Sequence, residues 1–421
     1  MKTKILLCIT AIFIAFSCTE TETITEIVEV EKIVTETVTV TETETVTEIQ
    51  NVYVLPEEYS FTRNGVQTVY YTGQTARLKM ATELKDHMND AAKTKDQLDT
   101  MFNSGTGFDD ATLDASGKKV GNKTASSPVA SATVKPIFDG WIEDFTANVA
   151  PAVNAGTTAS AGVAGSYTDT KPDGTTGRTV KINAKGFELN QFFSKGLIGA
   201  FQVDQIINNY LSFSKLDGAR EDNDNGVYGY KNDQAENYIT KMEHYWDEGF
   251  GYLYGLDSQF KPGLGNAAGG KDTANLNKYL SKINSQANEA GISQKIYDAF
   301  IAGRAAIVAK DYDERDKQAA IISAEISKVI GYKAQSYLRD GAEDITSGMW
   351  ADAHHALSEG YGFILGLQFT KNSDGNPYMT NAEVNSLLDR LSAGNGFWDR
   401  TAEELNTMAD EVAQATGLTL P

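Results

Sequence analysis

The chain has 421 residues and a formal net charge of −20, with 57 acidic against 37 basic side chains, 4 histidines and 2 cysteines. This acidic balance excludes a nucleic-acid-binding protein built on a clustered basic face and argues against electrostatic docking to anionic lipid. Both cysteines, Cys8 and Cys18, fall at the extreme N-terminus, so the body has no thiolate for catalysis or metal binding and no disulfide.

Residues 1–17 combine a basic start with the apolar run Ile5–Phe16, too short to cross a bilayer comfortably, and read as an export signal. The run stops at A-F-S-C, which resembles a bacterial lipobox with Cys18 as the lipidated residue; an ordinary signal peptide with a chance cysteine is the alternative. Residues 18–55 continue as a Thr/Glu/Val-rich stretch, with nine Glu and one Lys between Thr19 and Gln50 and no Gly or Pro. Neither a period of two nor a sustained heptad runs through it. It reads as a disordered, self-repelling acidic tether with a reach on the order of 100 Å, and a weak coiled-coil stalk is the alternative.

The body, residues 56–421, keeps a charge of about −14. It opens on two β-prone runs around Arg63-Asn64-Gly65, the pattern of a small hairpin. Helix is predicted from about Thr75, carrying His87 at a surface or capping position, and again around Ile137, Trp141 and Phe145 at four-residue spacing. The Gly/Thr/Ser-rich segment from Val153 is predicted as a long loop that wraps the surface or covers a cleft. A long apolar helix is predicted over 186–211, with Gly196, Gly199 and Ala200 permitting close helix contact. In the acidic segment that follows, Glu221, Asn223 and Asn225 echo the start of a calcium loop, but Asn232 stands where the bidentate Glu belongs.

The next helix, predicted from a capping box at Asp233 and Glu236, carries H-Y-W-D-E-G-F-G-Y-L-Y-G-L from His244. The pattern returns 111 residues later as H-A-L-S-E-G-Y-G-F-I-L-G-L from His355. A period that long marks two related halves, roughly 56–270 and 271–421, rather than a solenoid. The likeness extends outward, N-N-Y-L ending at Leu211 paralleling Q-S-Y-L ending at Leu338. Further helices are predicted at about 272–288, 292–310, 313–340, 343–369, 380–391 and 400–415, giving an all-α, two-lobed bundle.

On a helix, residues i, i+4, i+7 and i+11 share a face. His244, Glu248, Gly251 and Gly255 form one such stripe, and His355, Glu359, Gly362 and Gly366 the other. A neutral imidazole and a carboxylate one turn apart can hold one divalent ion, and two such helices in a bundle could supply His244, Glu248, His355 and Glu359 to a divalent metal or iron. The same groups could act as general acid and base, or each His could bond its Glu and lock the packing of the halves. His354 lies about 100° round the helix and is set aside, while Glu188, Asp204 and Glu325 are candidates for supporting groups. Each helical Gly costs roughly 1 kcal/mol relative to Ala, so close contact has to offset them.

A lipobox, an acidic spacer and the paired M-E-H-x-W-D-E-x-F-G-Y and H-A-L-S-E-G-x-G-F-I segments resemble an uncharacterised family of lipoproteins from Gram-negative bacteria. The general plan is also similar to imelysin-like proteins, two-lobed helical bundles associated with iron uptake and once proposed as metallopeptidases. Their G-x-H-x-x-E motif differs from this one, in which Met242 or Ala353 stands two before the His and the Glu follows by four residues. The resemblance implies a lipid-anchored binding protein of the outer membrane, on its surface or periplasmic side, serving iron or haem acquisition with an uptake receptor as partner. A metal-dependent hydrolase and a surface adhesion protein with structural repeats are the alternatives.

Overall fold

The computed structural model describes residues 26–27, 51–124, 127, 129, 131–229, 238–257, 264 and 272–421. Cys18, the export signal, nearly all of the tether, and the Asp233/Glu236 capping box lie outside these residues. The all-α plan holds. Helices α1 (Thr72–His87), α2 (Ser131–Asp144), α3 (Leu189–Leu197), α4 (Lys241–Tyr254), α5 (Leu276–Asn284), α6 (Ile292–Ala309), α7 (Tyr312–Thr346), α8 (Trp350–Gly366), α9 (Asn381–Leu391) and α10 (Ala402–Thr416) build the body, with shorter turns between them. No helix among the described residues is long and apolar enough to cross a membrane.

Local chemistry explains many of the boundaries. Asn64 and Gly65 both take positive φ, 54° and 77°, and join β1 (Thr62–Arg63) to β2 (Val66–Gln67), as an Asn-Gly hairpin requires. The α4 helix starts at a capping box made by Thr240 and Glu243, and the same device opens α9 at Thr380/Glu383 and α10 at Thr401/Glu404. The segment expected to be a long loop instead contains an antiparallel pair, β3 (Gly165–Thr170) and β4 (Thr176–Ile182). Only Val180 and Ile182 alternate inward, at the end of β4, and the Gly, Thr, Ser and Asp before them carry the composition of a loop.

The long apolar helix begins as α3 and continues as a π-helical segment over Ile198–Tyr210. It is the central element, contacting α4, α8 and α7. One hydrophobic cluster runs from Tyr59 to Val412 through both halves. The halves are also interleaved: Trp246 on α4 donates its indole N–H to Phe300 O on α6 at 2.9 Å. From the same helix α6, Arg304 reaches Glu243 at 2.8 Å and Asp247 at 3.1 Å, all three fully buried.

Candidate functional site

The glycines of the repeated motif are contact points. A Cβ on Gly251 would meet the Tyr71 side chain at 2.4 Å, and one on Gly255 would meet Thr75 Oγ1 at 3.0 Å, both on or beside α1. In the second copy, a Cβ on Gly362 would lie 2.5 Å from Gly196 N and Lys195 Cβ, and one on Gly366 would lie 3.3 Å from Gly199 Cα. The third glycines behave alike: Gly249 faces Leu211, and Gly360 faces Tyr337 and the Leu338 backbone. The repeat therefore preserves a geometry in which α4 closes on α1 and α8 closes on α3. The two stripes turn to different partners rather than to each other.

Around Glu248, Gln74 donates Nε2 to Oε1 at 2.7 Å and His244 Nε2 stands 3.7 Å from Oε2. The Tyr210 hydroxyl also bonds Glu248 and receives Lys123 Nζ at 2.8 Å. Lys215 lies 4.4 Å above the Tyr245 ring and 5.3 Å above that of Tyr210. Burial, then Arg77, pushes Lys123 down to about 8, and burial lowers Lys215. Arg77, Lys215 and Lys118 also lower Lys123, and Lys241 lowers Lys215, while Glu248 raises both. In a chain of charge −20, this is a local excess of cations.

Glu359 occupies a related nest. Lys195 Nζ lies 3.1 Å from Oε1, the Tyr279 hydroxyl donates to the same oxygen at 3.1 Å, and Tyr337 bonds the carboxylate as well. Burial opposes the charge on Glu359, but Lys195 and then His355 outweigh it and hold the carboxyl near 2. Tyr337 stands at the repeat position of Tyr210, so the parallel N-N-Y-L and Q-S-Y-L segments carry the tyrosine that grips each glutamate. Lys278 and Lys282 lie 5.3 and 5.2 Å from the Tyr279 ring centre, and burial pushes Lys333 down to about 8.

The four residues selected from the sequence as metal ligands do not form one donor set. His355 turns away from Glu359, its Nδ1 lying 2.6 Å from Glu188 Oε2, while Glu359 is held by Lys195. Among the described residues, the only group of three His or carboxylate donors within 4.8 Å of one another is Glu83, His87 and Asp109. His87, expected at a surface or cap, is buried. Of the supporting candidates, Glu188 does touch the motif, Glu325 pairs with Lys295 and Lys328, and Asp204 is fully buried with Asn208 as a partner. Burial pushes Asp204 up to about 6. Asn223 is a packing residue that bonds Ile307 O, Tyr312 and Thr240. The lysines went unnoticed because no motif links them; a Lys at the centre of the apolar run F-F-S-K-G-L was the available signal for Lys195.

Fold and geometry together define an all-α protein with a repeated Glu/Gly helix, each copy gathering cations about its glutamate, which is buried at Glu359 and partly buried at Glu248. The chain belongs to the family described as Domain of unknown function (DUF4856), which matches residues 56–419. No curated protein and no solved structure matches it.

Proposed function

We propose that this chain is a lipid-anchored extracytoplasmic binding protein that takes an anionic metal complex, a carboxylate-bearing iron chelate or haem, at the Glu248 cluster. The observation that carries this reading is the set of five cations, Arg77, Lys118, Lys123, Lys215 and Lys241, gathered about Glu248, with Lys123 and Lys215 seated on the Tyr210 and Tyr245 rings. Such a field repels a bare divalent ion and attracts carboxylates, and the half-buried setting strengthens it relative to water. Tyr210 and Tyr245 add flat aromatic surface under the ammonium groups. The anchor would be Cys18, placing the body at the outer membrane, on the surface or periplasmic side, where an uptake receptor is the natural partner.

Titration of the mature protein with ferric citrate and with haem tests this. Binding is expected to weaken at least about tenfold in a Lys123→Ala/Lys215→Ala double variant and to fall as salt rises. If both complexes are ignored, or the double variant binds them as the parent does, the reading is wrong. A second reading rests on the glycine contacts, which by themselves support repeats that only pack, as in an adhesion protein. It predicts unchanged partner binding in the double variant.

A further inference from the structure

Helix α1 carries a second cluster at the end opposite Gln74 and Arg77. Glu83 and His87 are one turn apart on the same face, and Asp109 reaches them from the segment after Gly107. His87 Nε2 lies 3.2 Å from Asp109 Oδ2 and 3.7 Å from Glu83 Oε1. Asp109 also donates its backbone N–H to Glu83 Oε1, which fixes the two carboxylates against each other.

We propose that Glu83, His87 and Asp109 form a divalent transition-metal site, with Zn²⁺ the ion that fits best. Zinc bound to nitrogen and oxygen at about 2.0–2.1 Å in a tetrahedron has ligand–ligand edges of about 3.3 Å. The 3.2 and 3.7 Å separations bracket that edge. One imidazole and two carboxylates are the donor types that zinc accepts, and three protein ligands leave the fourth position for water. Burial supports the same conclusion from a different side. The His87 side chain is 7% exposed and aims one nitrogen at two carboxylates, though a single N–H can serve only one of them; the other ring nitrogen has no hydrogen-bond partner. Asp109 is 80% exposed, so the group opens to solvent and an ion can enter without unfolding anything. Asp86, Asp90 and Asp110 follow these ligands in sequence, and the cations that crowd Glu248 gather at the other end of the helix.

Competition of the metal-free mature protein with a colorimetric zinc chelator at neutral pH tests the site. One Zn²⁺ per chain is expected, with a Kd of about 1 μM or tighter. Co²⁺ in its place should show the visible absorption of a four-coordinate ion. His87→Ala and Asp109→Asn should each weaken binding at least about tenfold, a loss that even an outer-shell partner can cause. Asp109→Asn is exposed and nearly isosteric, so it remains informative if His87→Ala fails to fold. His355→Ala should leave the affinity unchanged. No stoichiometric binding, binding unaffected by Asp109→Asn, or binding abolished by His355→Ala would each overturn the assignment.

Discussion

His355 Nδ1 and Glu188 Oε2 lie 2.6 Å apart, joining the repeat helix α8 to the residue that precedes α3. Glu188 is buried and His355 only partly so. Removing the imidazole strands a desolvated carboxylate, so His355→Ala is expected to cost about 1–3 kcal/mol in urea denaturation. Glu188→Gln should cost less, because an amide still bonds a neutral imidazole. An unchanged midpoint in His355→Ala would contradict the pairing.

Glycine substitutions separate contact from helix propensity. Gly251→Ala and Gly362→Ala place a methyl 2.4–2.5 Å from a neighbour, and each should destabilise by about 1–3 kcal/mol despite alanine's better propensity. Gly140→Ala, inside α2 with nothing within 4 Å, should stabilise by up to about 1 kcal/mol. Thermal melts of the three variants decide it, and a uniform shift in one direction is the outcome that does not fit.

Acid should act on His354 before it acts on most carboxylates. The ring is fully buried against Trp350, Phe397 and Trp398, and burial pushes its pKa from 6.5 down to about 3. The unfolded chain therefore takes the proton first. His354 removes stability as pH falls from about 6.5 toward 3, by up to about 1.4 kcal/mol per pH unit. Asp204 and Asp247, raised to about 6 by burial, work in the opposite sense between pH 6 and 4. The difference between parent and His354→Phe isolates the histidine: the variant should lose less stability between pH 7 and pH 4. Parallel pH profiles would refute this.

The Arg304 network predicts unequal costs for its two acids. Arg304→Met leaves Glu243 and Asp247 buried without their shared cation and should cost about 3–5 kcal/mol. Burial opposes the charge on Glu243, but Arg304 and then Arg63 hold its carboxyl down at about 2, whereas burial keeps Asp247 up at about 6 despite Arg304. Neutralising Glu243 therefore discards more favourable interaction, and Glu243→Gln should lower the urea midpoint more than Asp247→Asn does.

Much of this fold is legible in the sequence because its signals are local. Asn64-Gly65 dictates a turn, and apolar periodicity places α6, α9 and α10 within two residues of their observed limits, while α7 runs on to Thr346, past the expected end at 340. The repeat is legible too, down to Tyr210 and Tyr337. What those residues touch is not, because it depends on long-range packing. Glu359 meets Tyr279 across 80 residues, and His355 meets Glu188 across 167. The π-helical stretch is equally hidden, since it is buried on nearly every side and leaves no polar face from which a period could be read. Histidine spacing pointed to a metal in the repeat, yet apart from Lys241 the cations that surround each glutamate lie on other elements.

Arg304 sits in the second half of the chain and neutralises acids in the first, while Lys195 in the first half neutralises Glu359 in the second. Each half thus supplies a cation to a buried acid of the other, and Arg63 shares Glu243 from within the first half. The buried acids of the two halves therefore depend on one another for part of their charge compensation. A fragment ending before residue 271, expressed by itself, should stay unfolded until the remainder is supplied in trans. Its mixing with the complementary piece would show whether that dependence is complete.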